Sequence, residues 1–531
     1  MTTTLDDAAR RVLGPGEQLR DIQSEALREL ATHDMLLVAR SGAGKTAVYA
    51  IATLLTGRLT VVVSPLLALQ RDQVEALRAA GLRAASVSSA RTPAQRRTAL
   101  DEARGGRLDA LLLAPEQLVK TDVTDALATA DVGLLVVDEA HCVSEWGHDF
   151  RPDYLGIAPT VRRLGRPRLL AMTATASPRV RQEIVDRLGM TDSRVLVRDA
   201  DRPNIWLGVQ HCATARDRDD LVVRTVLEES GPTLVYARTH SHADALADAL
   251  TDAGRPSDAY HAGLPRAERL RVQDDFLGSR TDLLVATSAF GMGVDRADVR
   301  LVVHAGLPPS LDSYYQEVGR AGRDEQAARA IAAVLPGEVG LNRFLTSTGG
   351  PRPASVRAVL GAVRGGAKDR GQVVATSRLG SRTVARTLGA LLEVGAVQHE
   401  AAGLRPGTMD DATALRELRE RHDRLRALDR SRVDLVQTYA DSSDCRRRLL
   451  LELLGERHPD RCGTCDSCDA GTSLDVVDSR LTGGQRVVHA QWGPGTVSAV
   501  EAERVTVLFE ERGYVTLDTE IALDSGLLVP A

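Results

Sequence analysis

One short segment constrains the fold of this chain more than any other: Ser41-Gly42-Ala43-Gly44-Lys45-Thr46, between the apolar run Leu36–Ala39 and the helix-like stretch Thr46–Leu55. A glycine-rich turn that follows a strand and opens a helix is typical of a phosphate-binding loop, because its backbone N–H groups and the helix N-terminus attract phosphate oxygens. In such a loop Lys45 reaches the β- and γ-phosphates, and the Thr46 hydroxyl binds Mg²⁺. The wider pattern usually begins with glycine, whereas this chain has Ala39. A glycine-rich turn without a ligand is the alternative interpretation.

Alternating apolar runs and helix-like segments extend this pattern along most of the chain. Such alternation predicts a parallel sheet covered by helices on both faces, with ligand sites at the carboxyl ends of the strands. The pattern restarts after Arg202-Pro203-Asn204, so we expect two doubly wound α/β domains, residues 1–200 and 201–345. The predicted strands are Met35–Ala39, Leu59–Ser64, Ala110–Leu113, Gly133–Val137, Arg168–Met172, Thr233–Tyr236, Asp282–Ala286 and Leu301–His304.

Two further segments carry groups that nucleotide hydrolysis needs. Asp138 and Glu139 end the apolar run Leu134–Val137. A carboxylate there can hold Mg²⁺, and its neighbour can orient the attacking water. Arg320 and Arg323 would share one face of a helix, and arginine suits the charge that develops on a γ-phosphate. A solvated surface helix is the alternative for these arginines.

The composition changes after residue 345. A glycine- and proline-rich linker, Gly349–Pro353, precedes short helical patterns, and Ser377–Ser381 resembles the turn of a helix-turn-helix. We predict a small winged-helix-like module over residues 346–410, with a small helical spacer as the alternative. A basic track in this region indicates either nucleic-acid contact or a solvated surface. Its members are Arg352, Arg357, Arg364, Lys368, Arg370, Arg378, Arg382 and Arg386.

Four of the six cysteines cluster late in the chain. Cys462, Cys465 and Cys468 follow a C-x-x-C-x-x-C pattern on a glycine-containing turn, and Cys445 would be a fourth ligand. Four thiolates can bind one tetrahedral zinc ion with no position open for substrate, which predicts a structural site in a helical subdomain, residues 411–475. An iron–sulfur cluster also uses four thiolates. The other two cysteines, Cys142 and Cys212, are interpreted as small buried residues.

The last fifty residues have short strand-like runs separated by glycine-rich turns, which predict a small β-barrel over residues 476–531. The net charge of −5 does not indicate a nucleic-acid binder, although phosphate binding needs only a local basic track. The chain has no apolar run long enough to span a bilayer, and Met1–Arg11 lacks the features of a signal peptide. We therefore expect a cytoplasmic protein without structural disulfides.

The combined motifs resemble those of superfamily-2 helicases and, more specifically, the RecQ family. The resemblance covers about residues 15–345 and the cysteine region. It implies two RecA-like domains and an ATP-dependent DNA helicase that uses ATP, Mg²⁺ and Zn²⁺. It further implies a monomer that moves 3′-to-5′ on single-stranded or tailed duplex DNA in repair or recombination. The segments that carry it are Asp138–Pro152, Tyr260–Leu264, Ala289–Asp295 and Ser313–Glu317.

The same resemblance assigns roles to individual residues. Arg20 and Gln23 match the motif that reads adenine, although Gly16 replaces the usual aromatic stacking residue. Arg323 matches the arginine finger, with Arg320 beside it, and the four-cysteine pattern matches a zinc subdomain. Asp295 and Gln316 lie in motifs that link the second domain to nucleotide. The loop that couples DNA contact to hydrolysis is matched by Trp146, His148, Phe150 and Arg151.

The chain also departs from the family. A winged helix normally follows the zinc site, whereas the winged-helix-like segment precedes it here. The terminal barrel resembles the Tudor-type end domain of some bacterial helicases and either docks a partner protein or only packs on the core. Two alternatives stay open: a translocase or RNA helicase that unwinds DNA weakly, and a nucleic-acid-binding scaffold without hydrolysis. The scaffold ranks low because Lys45, Asp138, Glu139 and Arg323 are all present.

Overall fold

The computed structural model describes residues 4–40, 42–65, 67–88, 91–118, 120–145, 151–198, 200–291, 296–346, 350–400, 403–456, 461–473 and 480–531. Five predicted site residues lie outside the described residues: Ser41, Trp146, His148, Phe150 and Asp295.

The first domain is built on a seven-stranded parallel sheet with the order β3-β4-β2-β5-β6-β1-β7. Its central strands are buried along their whole length because helices cover both faces, which explains their continuous apolar sequences. The strands are β1 (Asp34–Ala39), β2 (Leu59–Val63), β3 (Ala84–Val87), β4 (Ala110–Leu113), β5 (Val132–Val137), β6 (Arg168–Thr173) and β7 (Ser193–Arg198). The helices are α1 (Leu5–Leu13), α2 (Asp21–Leu30), α3 (Lys45–Thr56), α4 (Leu67–Ala79), α5 (Pro93–Arg104), α6 (Thr121–Ala128), α7 (Ile157–Arg163) and α8 (Pro178–Leu188).

The second domain repeats this plan with a six-stranded parallel sheet of order β10-β11-β9-β12-β13-β8. The prediction of two doubly wound, RecA-like domains in tandem is therefore confirmed. The strands are β8 (Ile205–His211), β9 (Thr233–Ala237), β10 (Asp258–Tyr260), β11 (Leu283–Ala286), β12 (Leu301–Ala305) and β13 (Ala328–Val334). The helices are α9 (Ala215–Leu227), α10 (His240–Asp252), α11 (Arg266–Leu277), α12 (Leu311–Val318) and α13 (Val339–Thr346).

A winged-helix-like module follows, with three helices and an antiparallel hairpin. The elements are α14 (Pro353–Arg364), α15 (Arg370–Ser377), α16 (Ser381–Glu393), β14 (Val397–Glu400) and β15 (Gly403–Pro406). Val384, Leu388 and Leu391 of α16 are buried in one core with Val359 and Leu360 of α14. The module therefore has its own hydrophobic core, unlike a simple helical spacer, and it precedes the cysteines.

The zinc subdomain and the terminal barrel complete the chain. The subdomain contains α17 (Asp411–Asp441), α18 (Arg446–Leu453) and α19 (Asp466–Asp469). The barrel is an antiparallel sheet of order β19-β18-β17-β16-β20. Its elements are β16 (Arg486–His489), β17 (Gly493–Val500), β18 (Arg504–Phe509), β19 (Gly513–Asp518), α20 (Thr519–Asp524) and β20 (Leu528–Pro530). Within the described ranges, none of the helices combines the length and the apolar character that crossing a bilayer requires.

The barrel packs against the zinc subdomain. The turn between β18 and β19 approaches α17 so closely that a side chain at Gly513 would meet Ser431 and lie 3.3 Å from Leu428 Cα. Ser442 Oγ, just after α17, donates a 2.6 Å hydrogen bond to Glu501. Through these contacts the barrel packs directly against α17.

Candidate nucleotide-binding site and metal centre

The phosphate-binding loop follows β1 in the interior of the first sheet. Gly42 and Gly44 have φ values of +83° and +77°, which glycine adopts without steric cost. Lys45 starts α3, and its Nζ donates to the carbonyl oxygens of Ala39 at 2.7 Å and Arg40 at 3.3 Å. The loop therefore folds back so that the carbonyl oxygens before it bind the ammonium group of Lys45.

Arg20 and Gln23, predicted to read adenine, lie directly against this loop. Arg20 Nη1 donates to Gly42 O at 2.8 Å, and Gln23 Nε2 donates to Gly44 O at 3.3 Å. The Gln23 side chain also accepts the Arg20 backbone N–H at 2.9 Å, which fixes the start of α2. The two residues are thus placed to hold the loop.

Asp138 and Glu139 lie at the same edge of the sheet as Lys45. The strand order explains this proximity, since β1 and β5 both neighbour β6 and their carboxyl ends point the same way. Asp138 is buried, and its Oδ2 accepts hydrogen bonds from Gln73 at 3.0 Å and Ser64 at 3.4 Å. Burial lowers the pKa of the Lys45 ammonium, and the charges of Glu139 and Asp138 oppose this shift.

Glu139 has a left-handed backbone with φ +49°, and its carboxylate lies 3.3 Å from His141 Nδ1. His141 Nδ1 is also 2.9 Å from the Thr173 hydroxyl at the end of β6. A left-handed non-glycine residue costs free energy, and such residues occur often at active sites. Thr173 thus contacts the histidine that lies beside the Glu139 carboxylate.

The expectation that Arg320 and Arg323 share one face of a helix is wrong. Helix α12 ends at Val318, and the chain continues as turns because Gly319 caps the helix and Gly322 has φ +54°. Arg320 is buried and hydrogen-bonds Tyr236, where burial raises the pKa of the tyrosine and the arginine opposes it. The turn that carries Arg323 lies against the first domain, where Glu325 Oε1 is 3.2 Å from Arg40 Nη2, and the charge of Arg323 contributes to lowering the pKa of Lys45.

Gln316, Arg151, Ala43 and Thr46 complete the predicted set within the described residues. Gln316 lies on α12, one turn before the arginine-bearing segment. The Arg151 guanidinium lies 3.5 Å from Pro65 O, just past the carboxyl end of β2, so it faces the same edge of the first sheet. Ala43 is buried within the loop, and Thr46 lies in the first turn of α3.

Sequence reasoning missed the residues that fix the arginine-bearing turn. Arg202 donates to the carbonyl oxygens of Gly319 at 3.1 Å, Ala321 at 2.6 Å and Gly322 at 2.7 Å. Asn204 Nδ2 donates to Gly322 O and Gln326 O, each at 2.9 Å. Both belong to the Arg202-Pro203-Asn204 segment, which sequence alone identified only as a boundary between domains.

The four predicted metal ligands come together. The sulfurs of Cys445, Cys462, Cys465 and Cys468 all lie within 4.8 Å of one another. Tetrahedral zinc with Zn–S bonds of about 2.3 Å needs sulfurs roughly 3.8 Å apart, so the cluster is the right size. The four sulfurs are therefore positioned to bind one zinc ion. Cys142 and Cys212 are buried elsewhere, as expected.

The zinc site is attached to the edge strand of the second sheet. Leu207 N of β8 donates to Thr464 O at 3.2 Å, and Val209 N donates to the Asp466 carboxylate at 2.9 Å. Trp206 Nε1 donates to Asp469 at 2.8 Å. The metal therefore holds together a turn that covers an otherwise open sheet edge.

Four family models match successive parts of the chain. They are DEAD/DEAH box helicase over residues 20–184, helicase conserved C-terminal domain over 218–325, RecQ zinc-binding over 409–469, and a protein family of unknown function, DUF3553, over 481–524. The match at 409–469 contains all four cysteines.

Among curated proteins, an ATP-dependent DNA helicase RecQ of Synechocystis sp. is 37% identical over 341 residues, which are 62% of this chain and 71% of the relative. The chain belongs to the RecQ family. Bacillus subtilis has two relatives of this RecQ-family chain. Its probable ATP-dependent DNA helicase RecS is 36% identical over 58% of the chain and 62% of the relative, and its RecQ is 29% identical over 87% and 66%. The chain spans about half to two thirds of the length of several curated relatives, including these two.

Solved structures of other helicases share the fold of this chain. The helicase Lhr of Mycobacterium smegmatis, bound to ssDNA and AMP-PNP, covers 81% of this chain and 62% of its own, with a TM-score of 0.52 and 19% identity. The DUF1998 helicase MrfA bound to DNA covers 77% and 60%, with a TM-score of 0.54 and 16% identity. At such low identity, these matches show the shared fold alone.

Proposed function

We propose that this chain is an ATP-dependent DNA helicase that separates duplex DNA while it moves along one strand. One observation carries the proposal: the two RecA-like domains meet at the phosphate-binding loop, where Glu325 Oε1 of the second domain lies 3.2 Å from Arg40 Nη2 of the first. The charges of Asp138 and Glu139 from the first domain and of Arg323 from the second all act on the pKa of Lys45. A nucleotide at this point would contact both domains, so its binding and hydrolysis would close and reopen the cleft.

In this mechanism Lys45 and the N–H groups of Gly42, Ala43 and Gly44 bind the phosphates. Thr46 and Asp138 hold Mg²⁺, which supplies positive charge at the transferred phosphate when it is bound. Glu139 orients the attacking water, and His141 fixes the Glu139 carboxylate.

The second domain completes the proposed site. Arg323, with Arg320 beside it, stabilises charge on the γ-phosphate. Gln316 and Asp295 connect the nucleotide to the second domain, while Arg20 and Gln23 read adenine and hold the loop. The three-carbonyl contact of Arg202 keeps the turn of Arg323 in place.

Two surfaces are proposed to contact DNA. Trp146, His148, Phe150 and Arg151 would stack on and contact the single strand, because aromatic side chains stack on unpaired bases. The winged-helix-like module would contact duplex DNA through α16, the second helix of its helix-turn-helix. Arg382 and Arg386 are exposed there, one turn apart.

Several broader properties are also proposed. Relatives named ATP-dependent DNA helicase RecQ support DNA as the substrate. From the resemblance to the RecQ family we further propose movement 3′-to-5′ and a role in repair or recombination. A four-thiolate zinc site favours the cytoplasm, because thiols stay reduced there. We propose a monomer, since one chain supplies both sides of the cleft.

The barrel could also dock another protein. Val488 of β16 pairs with Val529 of β20 in the sheet, and both are exposed, as is Leu527 just before β20. An exposed apolar patch at a sheet edge is typical of a protein-binding surface.

A strand-displacement assay with ATP tests the function directly. The panel contains 3′-tailed, 5′-tailed, forked and blunt DNA and a tailed RNA duplex, and Lys45→Ala is the inactive control. We expect displacement of 3′-tailed and forked DNA by the wild type and none by the variant, whose fold should stay intact. DNA-stimulated hydrolysis without displacement would indicate a translocase, and preference for RNA would indicate an RNA helicase. Hydrolysis that persists in Lys45→Ala would refute the site.

A further inference from the structure

Arg40, the residue between β1 and the phosphate-binding loop, contacts both sides of the cleft. Its carbonyl oxygen accepts a hydrogen bond from Lys45 Nζ at 3.3 Å. Its side chain contacts the second domain, where Nη2 lies 3.2 Å from Glu325 Oε1. Glu325 is two residues beyond Arg323. A single residue therefore connects the lysine of the loop with the turn that carries the proposed arginine finger.

Hydrogen bonds within the second domain fix the turn of residues 319–326. Arg202 and Asn204 together bind the carbonyl oxygens of Gly319, Ala321, Gly322 and Gln326. These bonds fix the shape of the turn, but they do not fix its distance from the phosphate-binding loop. The Arg40–Glu325 ion pair adds a direct link between the turn and the loop.

The backbone of Glu325 points to a role for its side chain. Its φ of +67° lies in the left-handed region, which costs a non-glycine residue about 1 kcal/mol and glycine nearly nothing. Strained residues of this kind occur often where a side chain has a function. Here the carboxylate is the partner of a guanidinium whose side chain is only 15% exposed.

The surrounding positive charges favour an acidic residue at position 325. Burial lowers the pKa of Arg202 to about 10, the positive charges of Arg40 and Arg323 add to this effect, and Glu325 opposes it. The positive charges of Arg40 and Arg323 thus both act on Arg202. The negative charge of the Glu325 carboxylate opposes them there, and the same carboxylate pairs with Arg40.

We propose that Arg40 and Glu325 are a positioning pair that holds the Arg323 turn against the phosphate-binding loop in the closed cleft. The inference rests on the proposed function and deepens it. Arg40 and Glu325 act on the γ-phosphate only through Arg323, so they are positioning residues. Since Glu325 is 65% exposed, the pair is weak enough to form and break in every cycle.

Single and double substitutions in the full-length, zinc-loaded chain test the pair by DNA-stimulated ATP hydrolysis. Arg40→Gln and Glu325→Gln should each lower kcat about three- to fivefold, as expected for one partly exposed ion pair. The KM for ATP should change less than about twofold, because ground-state binding relies on the first domain. Arg40→Lys should keep part of the activity. Arg40→Glu combined with Glu325→Arg should recover most of what either reversal loses alone.

Glu325→Gly separates positioning from a purely structural role. Glycine relieves the left-handed backbone, so this variant should unfold at the same temperature as the wild type or higher. If the carboxylate positions Arg323, kcat should nevertheless fall as far as in Glu325→Gln. A stabilised variant with wild-type kcat would overturn the proposal.

Glu510→Gln is the matched control. The Arg179–Glu510 pair, 3.6 Å apart, also joins two domains, and Glu510 is 70% exposed, but it lies on the barrel. This control should keep wild-type kcat. Additive losses in the Arg40 and Glu325 double variant would also overturn the pair. A wild-type chain without DNA-stimulated hydrolysis would overturn the proposed function, whereas neutral pair variants in an active chain would overturn only this inference.

Discussion

The Arg421 guanidinium lies 2.7 Å from the Glu145 carboxylate, and this contact joins the zinc subdomain to the first RecA-like domain. Arg187 of α8 lies 3.0 Å from the same carboxylate. Glu393, at the end of α16, lies 3.5 Å from Arg187 and 3.7 Å from Arg421. Two arginines and two glutamates thus form one mostly buried cluster among three parts of the chain.

We expect Glu393→Gln to make the protein less sensitive to pH. Burial raises the pKa of Glu393 to about 7, Glu145 adds to the shift, and Arg187 and Arg421 oppose it. Because this pKa is above the ordinary value of 4.5, the stability that Glu393 contributes is full below about pH 4.5 and is lost as pH rises through 7. Glutamine mimics the protonated form at every pH. The variant should therefore be at least as stable as the wild type at about pH 8. Its stability should also change less with pH, from about pH 5 upward.

Thermal unfolding across this range measures the effect. The titration of Glu145 lies outside this pH range and does not contribute to the measured difference. Burial raises its pKa, but Glu393 and the arginines lower it to about 2, so its contribution is lost only as pH falls below 4.5. Two further charged groups face the cluster: Glu183, 3.8 Å from Arg187, and Arg432, whose Nη2 lies 3.4 Å from Glu145 O. Glu400→Gln, on the exposed hairpin of the same module, is the control. If the unfolding temperatures of the two variants change equally with pH, Glu393 is not the cause of the pH dependence.

Such clusters mark the limit of what the sequence predicts. The strand Ala110–Leu113 was predicted with its observed bounds, and Thr233–Tyr236 was one residue short, because buried parallel strands are short apolar runs between turns. The phosphate-binding loop and the four cysteines were also recognisable, since their spacing is local. Contacts between distant residues leave no such pattern. Arg40 and Glu325 are 285 positions apart, and Glu145 and Arg421 are 276 apart.

The helix predicted for Arg320 and Arg323 failed for a local reason. Their spacing of three residues fits a helix, but the glycines that flank Arg320 and Ala321 end α12 at Val318. Glycine at a helix end commonly stops the helix, so the sequence did contain this signal. Arg202 gave no comparable signal, because the carbonyl oxygens it binds belong to backbone that any residue could supply.

Arg382→Ala and Arg386→Ala should weaken binding to duplex DNA and reduce its salt dependence. If each arginine contacts one phosphate, each substitution should reduce the slope of log K against log salt by about 0.9. Fluorescence anisotropy with blunt duplex at several salt concentrations measures the slope. Arg216→Ala, an arginine whose side chain is 90% exposed on α9, should leave it unchanged. If all three variants behave alike, α16 is not the duplex-contacting element.

Cys465→Ser should lose zinc and destabilise the edge of the second sheet. A structural zinc site contributes on the order of 10 kcal/mol when ligands and folding are coupled, and three thiolates with a hydroxyl bind it far more weakly. Cys465 is also bridged to Leu207 of β8, so the loss should extend to that strand. Elemental analysis and thermal unfolding measure both effects. Cys212→Ser, buried outside the cluster, should retain zinc. Full zinc content in Cys465→Ser would contradict the four-thiolate site.

Gly513→Ala should loosen the barrel from α17. At φ +76° any side chain is strained, and here a Cβ would also meet Ser431 and approach Leu428. Gly526→Ala is the matched control, since φ is +68° and nothing lies within 4 Å of the added carbon. The control should lose about 1 kcal/mol from backbone strain alone, and Gly513→Ala roughly 2–3 kcal/mol, because the clash adds to the strain. Hydrogen exchange should then be faster around residues 428–431 in Gly513→Ala only. Equal exchange in both variants would show that this contact does not hold the barrel on the helix.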